Sequence, residues 1–395
     1  MFAFFTRFHL PALSGVALTA FLSVGPAAAS DLDSYLNDIR EQYGVPAIAA
    51  AVVKNGEVVE ASAVGTRVMG RDLPVTIDDR FHIGSNTKSM TATLAGMMVD
   101  EGKLQWDTTV GEVLGEDVPG MSGSLSNATL EQLLSHSSGI PGDNDELLDL
   151  YFNAETFDYN TFDRRLRVLD HWKENEITVP EGSPFQYSNM GYMIAGAMIE
   201  KVSGEAWERL IHERIFEPLG MDSAGIGPPA TFGLLDAAVG HMTNADGSVT
   251  PRLWGPAADG PVVLGPAGMA HMSILDYAKW ADWNAGKGAR GPALVSPETL
   301  ATIQAQHVET PVRENPPPGT PTTGGYGFGW SIVDYDWADG PLPTHNGSNA
   351  MNLTRIIVDP DRDLGVVVTT NIAGANGNDA TGAVLERLYT AYAAD

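Results

Sequence analysis

Ser85 and Lys88 stand three residues apart in FHIGSNTKSMTATLAGMMVDEG, where loop residues give way to a helical apolar pattern. Residues i and i+3 share a helix face, so the hydroxyl and the amine can touch. A serine hydroxyl is a poor nucleophile until a base removes its proton. A lysine can be that base if burial or neighbouring cations lower its pKa. At the positive end of a helix, an anion developing near Ser85 would also be stabilised. Ser-x-x-Lys occurs once, and Lys88 is one of only seven lysines. At this chain length a lone match of so short a pattern carries little weight.

A second group lies in EGSPFQYSNMGYMIAGAMIEKVSG. Tyr187 beside a cationic lysine can act as a phenolate or relay a proton to a leaving group. Asn189 can accept from the lysine and donate to a substrate carbonyl. Tyr151-Phe152-Asn153 has the same form without a helical pattern behind it, and is set aside. A third group, His345-Asn346-Gly347-Ser348, stands just ahead of the strand-like MNLTRIIVD. Gly347 would let a substrate approach the backbone closely. His345 would offer a hydrogen-bond donor or a cation opposite Tyr187 and Lys88, with a charge that fades near pH ~6.5 if unperturbed. His82-Ile83-Gly84 repeats His-x-Gly, so this triplet alone also means little.

Secondary elements must bring these groups together. A helix is expected over 31–43, then strands PAIAAAVVK and EVVEASAVG joined by Asn55-Gly56, a strong hairpin signal. Ser85 opens a helix with Met90, Leu94, Met97 and Met98 at helical spacing. From about 100 to 275 helical patterns dominate, broken by the acidic stretch at 143–160, read as a loop or loose helix that rims the cleft. A helix is expected at about 275–285. Strands return in YGFGWSIVDY, MNLTRIIVD and LGVVVTTNIAG, and TGAVLERLYTAY closes the chain as a helix. Strand-rich ends around a helix-rich middle predict an antiparallel sheet built from both termini, with helices on it.

Composition narrows the class. Apolar content of 43% and charged content of 18% are those of a globular chain. The opening MFAFFTRFHLPALSGVALTAFLSVGPAAAS reads as a signal peptide over 1–29, cleaved after Ala29 and too short to span a bilayer. That points to a periplasmic or secreted protein without a membrane anchor. There are no cysteines, which excludes disulfides, thiolate nucleophiles and thiolate-bound zinc. A net charge of −27 argues against a nucleic-acid partner, which needs a basic face. DPDRDLG lacks the glycine and glutamate of a calcium loop and reads as a hairpin turn. HERIF lacks a second zinc histidine, and no G-x-S-x-G elbow exists. His136 in LLSHSSGI reads as a packing and turn residue.

Taken in order, Ser-x-x-Lys, Tyr-x-Asn and His-x-Gly resemble the serine β-lactamase and penicillin-binding protein superfamily. The form is similar to class C β-lactamases, D-Ala-D-Ala carboxypeptidases and related esterases and D-aminopeptidases. LPVTIDDRFHIGSNTK, TLEQLLSHSSGIPG and GMDSAGIG also look like family phrases. The resemblance implies an α/β plus all-α fold: an antiparallel sheet flanked by helices, with an inserted helical domain. The α/β part would take about 30–95 and 275–395, and the helical part about 96–274. It implies Ser85 as acylated nucleophile, Lys88 as its base and Tyr187 as proton shuttle. Asn189, His345, Gly347 and Ser348 would bind substrate, with backbone N–H groups of Ser85 and Ser348 as oxyanion hole. Histidine replaces the class C lysine of the third motif, which favours a carboxypeptidase or esterase over a β-lactamase. No cofactor or metal is implied. The partner would be a small-molecule or peptide acyl substrate, and the oligomeric state is open. A catalytically silent peptidoglycan-binding or sensor protein is the contrasting reading, against which intact Ser85, Lys88 and Tyr187 stand.

Overall fold

The structure, a computed structural model, describes residues 31–156, 159–312, 314 and 322–394. The expected leader at 1–29 lies outside the described residues, as do 313 and 315–321 of the Pro/Gly-rich segment.

The chain opens with helix α1 (Asp31–Tyr43) and the hairpin β1 (Ala47–Lys54) and β2 (Glu57–Gly65). Asn55 and Gly56 both take positive φ at its turn, as Asn-Gly predicts. The rest of the main sheet comes from the far end of the chain: β3 (Val308–Glu309), β4 (Gly325–Tyr326), β5 (Ser331–Asp334), β6 (Pro341–Ser348), β7 (Leu353–Asp359) and β8 (Leu364–Thr370). The eight strands run in the order β2-β1-β8-β7-β6-β5-β4-β3, and every pairing is antiparallel. The two ends of the chain therefore meet at β1 and β8, with Ile48 opposite Thr370.

β1 explains its own composition. Successive side chains on a strand face opposite sides. Ala47, Ala49, Ala51 and Val53 enter the large core; Ile48, Ala50 and Val52 enter the second. A strand buried on both faces reads as an unbroken apolar run. The second core is closed by α1 and the C-terminal helix α6 (Gly374–Ala393), through Leu36, Val384 and Leu388. The large core carries α2 (Thr87–Asp100), α3 (Asp145–Ala154), α4 (Asn189–Ser203) and α5 (Ile274–Ala285). Thr87 to Met98 are all buried, so α2 is a central helix, wrapped on every side rather than amphipathic.

Three expectations need correction. The stretch 100–275 is not purely helical. It holds short strands at Gly225–Ile226, Gly240–Thr243, Val249–Arg252 and Ala270–Ser273. Gly240–Thr243 and Val249–Arg252 form a local hairpin, whereas Ala270–Ser273 lies between Arg80–His82 and Gly225–Ile226, partners too distant for periodicity to reveal. YGFGWSIVDY is two strands split at Gly329, whose positive φ and close approach to the α2 backbone break the ladder. The third-motif residues lie within β6, not ahead of a strand; two prolines at its start hide it from strand propensity. No helix among the described residues is long and apolar enough to cross a membrane.

Candidate active site

Ser85 sits in a 3-10 turn, Gly84–Asn86, leading into α2. Between Phe81 and Met98 it is the one residue not classed as buried. Two glycines let this turn reach β6. A Cβ on Gly347 would lie 1.9 Å from the Ile83 carbonyl oxygen, and one on Gly84 2.3 Å from the Ser348 nitrogen. Gly84 also has φ +53°, a left-handed conformation that favours glycine. The close contact brings the backbone of Ser85 beside that of Ser348.

Lys88 is one helical turn on and has no exposed surface. Its Nζ lies 3.3 Å from Ser85 Oγ, 2.7 Å from Asn189 Oδ1 and 2.6 Å from the Ala267 carbonyl oxygen. Burial lowers its pKa to about 7, against a smaller upward pull from Asp143. A neutral amine has two N–H donors and one lone pair. Asn189 and Ala267 present only carbonyl oxygens, so they take the two donors. The lone pair is left for the Ser85 hydroxyl, which is the arrangement a general base needs.

Asn189 opens α4 behind the Ser188 cap, whose hydroxyl accepts from Gly191 N. Its Nδ2 donates to Asp143 Oδ2 at 2.7 Å. A carboxylate can only accept, so Asp143 fixes which end of the amide faces Lys88. Asp143 was expected on an acidic rim. It is exposed at the cleft mouth, as Asp145 and Glu146 are in the first turn of α3, and it also meets the Asn189 amide. Neutralising Asp143 therefore changes the lysine environment as well as the rim.

Tyr187 packs over Lys88, with Nζ 4.7 Å from the ring centroid, and its hydroxyl lies on the Ser85 side. Burial holds its pKa well above that of a free phenol; the nearby Ser85 hydroxyl works the other way, and Asp143 adds to the rise. At neutral pH it is a protonated phenol, so the phenolate option falls away and proton relay remains. His136 clamps both sides of Tyr187. Its carbonyl accepts from Gln186 N at 2.7 Å, its Nδ1 from Ser188 N at 3.1 Å, and the rings lie 4.2 Å apart. His136 adopts φ +60° at that turn, as a packing and turn residue.

His345 departs from expectation. The side chain is 4% exposed, and its Nδ1 lies 2.8 Å from the Asn346 carbonyl oxygen. That nitrogen must carry the proton, so Nε2 accepts from the Tyr326 hydroxyl at 2.9 Å. Burial first, and the nearby Lys88 second, push its pKa down to about 3. His345 is neutral with both nitrogens engaged. It supports the site from behind and offers substrate neither a cation nor a donor. Its strand still matters. β5 pairs β6 only as far as Thr344, while His345–Ser348 pair with β7, leaving one edge of that segment without a strand partner among the described residues. Ser348 and Asn189 line the cleft with Ser85, in a space of about 560 Å³.

Sequence patterns could not single out Asp143, Tyr326 or the Ala267 carbonyl as site groups. An acidic run hides one acid, Tyr326 is one residue of an expected strand, and a backbone carbonyl has no letter. Among the described residues no group of three or more His, Asp or Glu is placed to hold a metal ion.

Comparison with known proteins decides the family, because the Beta-lactamase family model matches residues 32–391. The chain belongs to the Beta-lactamase family. The matched region is a serine hydrolase domain. It is similar to unguisins hydrolase ungD' of Aspergillus campestris, 28% identical over 86% of this chain and 61% of that protein. The chain thus spans about three fifths of that relative's length. It is also similar to penicillin-binding protein 4 of Amycolatopsis lactamdurans, 27% identical over 84% of this chain and 82% of the relative. A solved structure of the octameric penicillin-binding protein homologue from Pyrococcus abyssi superposes with TM-score 0.70 at 26% identity, covering 90% of this chain and 76% of that one.

Proposed function

We propose that the protein is a secreted or periplasmic acyl-enzyme hydrolase acting on D-alanyl-D-alanine-type peptides or related esters. The observation that carries this is the buried Lys88 amine, with its pKa near 7 and its lone pair left for Ser85. Neutral Lys88 takes the Ser85 proton as Oγ forms a bond to the substrate carbonyl carbon. The oxyanion is held by the N–H groups of Ser85 and Ser348, each worth ~3 kcal/mol in a pre-formed hole. Collapse breaks the bond to the leaving group, which receives the proton from Lys88 by way of Tyr187. Water then repeats the sequence in reverse: it gives its proton through the same groups, attacks the acyl carbon and frees Ser85. Asn189 orients Lys88 and the substrate amide. The unpaired edge of His345–Ser348 supports an extended acyl chain lying alongside β6.

Intact mass after mixing with a penicillin tests the reading. Wild type is expected to gain the mass of one opened penicillin, and Ser85→Ala to gain none. Adduct on both proteins would overturn Ser85 as nucleophile. Rapid consumption of the drug with no persistent adduct on wild type would make the activity that of a β-lactamase.

The pH profile is a second test. Lys88 must be neutral to act, so kcat/KM should rise through about pH 7 and level off above it. Asp143 favours the charged lysine, so Asp143→Asn should move that limb to lower pH. The same change lets the Asn189 amide turn over, costing roughly tenfold in kcat/KM. A limb that stayed in place would show that Asp143 does not act on Lys88.

A further inference from the structure

Asp259 lines the Ser85 cleft, yet its carboxylate is taken up by protein groups. Its Oδ2 lies 3.0 Å from His82 Nε2, and its Oδ1 accepts from Gly260 N at 2.7 Å and from Asn349 Nδ2 at 3.2 Å. The His82 side chain has no exposed surface and that of Asp259 is 4% exposed. Neither takes part in the proton transfers assigned to Ser85, Lys88 and Tyr187. A buried carboxylate is costly unless its oxygens are hydrogen-bonded, and here both are. His82 Nδ1 accepts from Gly84 N at 3.1 Å. The ring proton is therefore on Nε2, and it is donated to Asp259.

These contacts brace the two backbone segments that meet at the nucleophile. At one end, Gly84 belongs to the turn that carries Ser85. At the other, Asn349 follows Ser348. Its Oδ1 accepts from Met351 N at 3.2 Å, Asn352 N at 3.0 Å and Asn352 Nδ2 at 3.1 Å. That side chain holds a turn in which Ala350 takes φ +67°, a left-handed conformation disfavoured for alanine. The loop that carries Asp259 is itself fixed. Arg165 Nε donates to the Val263 carbonyl at 3.0 Å, and Val262 N donates to Glu155 Oε1 at 2.7 Å. The hydrogen bonds of the brace run in one order only: Gly84 N–H to His82, His82 to Asp259, and the Asn349 amide to Asp259.

We propose that His82, Asp259 and Asn349 are positioning residues that hold the Ser85 and Ser348 N–H groups in register as one oxyanion hole. The proposal rests on the acyl-enzyme reading of Ser85. The three act through the backbone, not through contact with the reacting atoms. A pre-formed hole stabilises charge only while its donors stay aimed at the developing oxyanion. Asp259 can only accept, so it fixes both the tautomer of His82 and the direction of the Asn349 amide. An amide in its place sets donor against donor whichever way it turns. With its N–H groups facing His82, it drives the ring proton to Nδ1, against Gly84 N–H. With them facing Asn349, it turns that amide's own N–H groups towards Met351 N and Asn352 N.

Phenylboronic acid tests the brace, because its adduct with a serine is tetrahedral and sets an oxygen in the hole. Asp259→Asn is expected to lower kcat/KM on p-nitrophenyl acetate about ten- to hundredfold, and to weaken calorimetric binding of the boronate by a similar factor. A smaller folded fraction would lower the rate and leave the dissociation constant in place, so the two readouts separate positioning from stability. Exchanging the two groups restores the order of donors. In Asp259→Asn/Asn349→Asp the amide at 259 accepts from His82 and donates to the carboxylate at 349, which also takes Met351 N and Asn352 N. This double variant is expected within about tenfold of wild type in rate and boronate affinity, and Asn349→Asp alone to be as poor as Asp259→Asn. Boronate affinity unchanged in Asp259→Asn, or a folded double variant as poor as Asn349→Asp, overturns the brace while leaving Ser85 as nucleophile. The second of these comparisons stands even if Asp259→Asn does not fold. A wild type that binds no boronate, or binds it only as Ser85→Ala does, overturns the acyl-enzyme reading, and the brace with it.

Discussion

Ser85→Ala is expected to lower kcat/KM by on the order of 10⁴-fold or more, with the thermal midpoint within a few degrees of wild type. The loss is large because, in the proposed mechanism, Ser85 supplies the atom that bonds to the substrate, and no other group near Lys88 replaces it. Asn189 and Ala267 present carbonyl oxygens to the amine, and Tyr187 is a protonated phenol. The fold is spared because Ser85 is the surface-reaching residue of an otherwise buried run, and alanine leaves the Gly84 and Gly347 contacts intact. Lys88→Met is expected to lose a comparable factor, since the pair acts as a unit and single losses do not add. Steady-state rates on an activated ester, beside a melting curve of each variant, check this. A Ser85→Ala enzyme within tenfold of wild type would remove Ser85 from the mechanism.

Acid is expected to cost the fold several kcal/mol well before its carboxylates protonate. His345, His271 and His136 are all buried. Burial is the leading cause in each case: it lowers His345 to about 3, His271 to about 4 and His136 well below its usual range. Their unfolded pKa is about 6.5. Below that value the unfolded chain binds protons that the native chain refuses, so stability falls as pH drops from about 6.5 towards 4. By pH ~5 each histidine costs up to ~2 kcal/mol, or ~6 kcal/mol together, a large part of a typical domain's stability. Denaturant unfolding between pH 7 and pH 5 measures the slope. His271→Gln, away from Ser85, should make that slope shallower by up to ~1.4 kcal/mol per pH unit. An equal slope in the variant would show that His271 protonates freely in the native state.

The site was legible in the sequence to the extent that its chemistry is local. Ser85 and Lys88 are three residues apart on one helical turn, and Tyr187 and Asn189 flank one helix cap, so short-range geometry brings each pair together. The strands were legible where a hairpin turn announces them, as at Asn55-Gly56, and where a run is buried on both faces, as in β1. They were not legible where the pairing partner is far away. Ala270–Ser273 forms a strand between Gly225–Ile226 and Arg80–His82, the latter about 190 residues earlier.

His345 shows the boundary most plainly. As a letter in His-x-Gly it is a titratable group near pH ~6.5 that faces a substrate. In the fold, Tyr326 and the Asn346 carbonyl take both ring nitrogens and burial removes the charge. Asp143 is the converse, one acid in an acidic run until its contact with Asn189 is seen.

The sequence by itself picked out Ser85 and Lys88, the helix that carries them and the sheet built from both ends of the chain. All of these follow from neighbouring residues, periodicity and ordered motifs. Only the tertiary structure decided how burial shifts Lys88, Tyr187 and His345, and that Asp143 meets Asn189. Those depend on desolvation and on which distant polar atoms meet, and both are properties of packing that no single stretch of sequence contains.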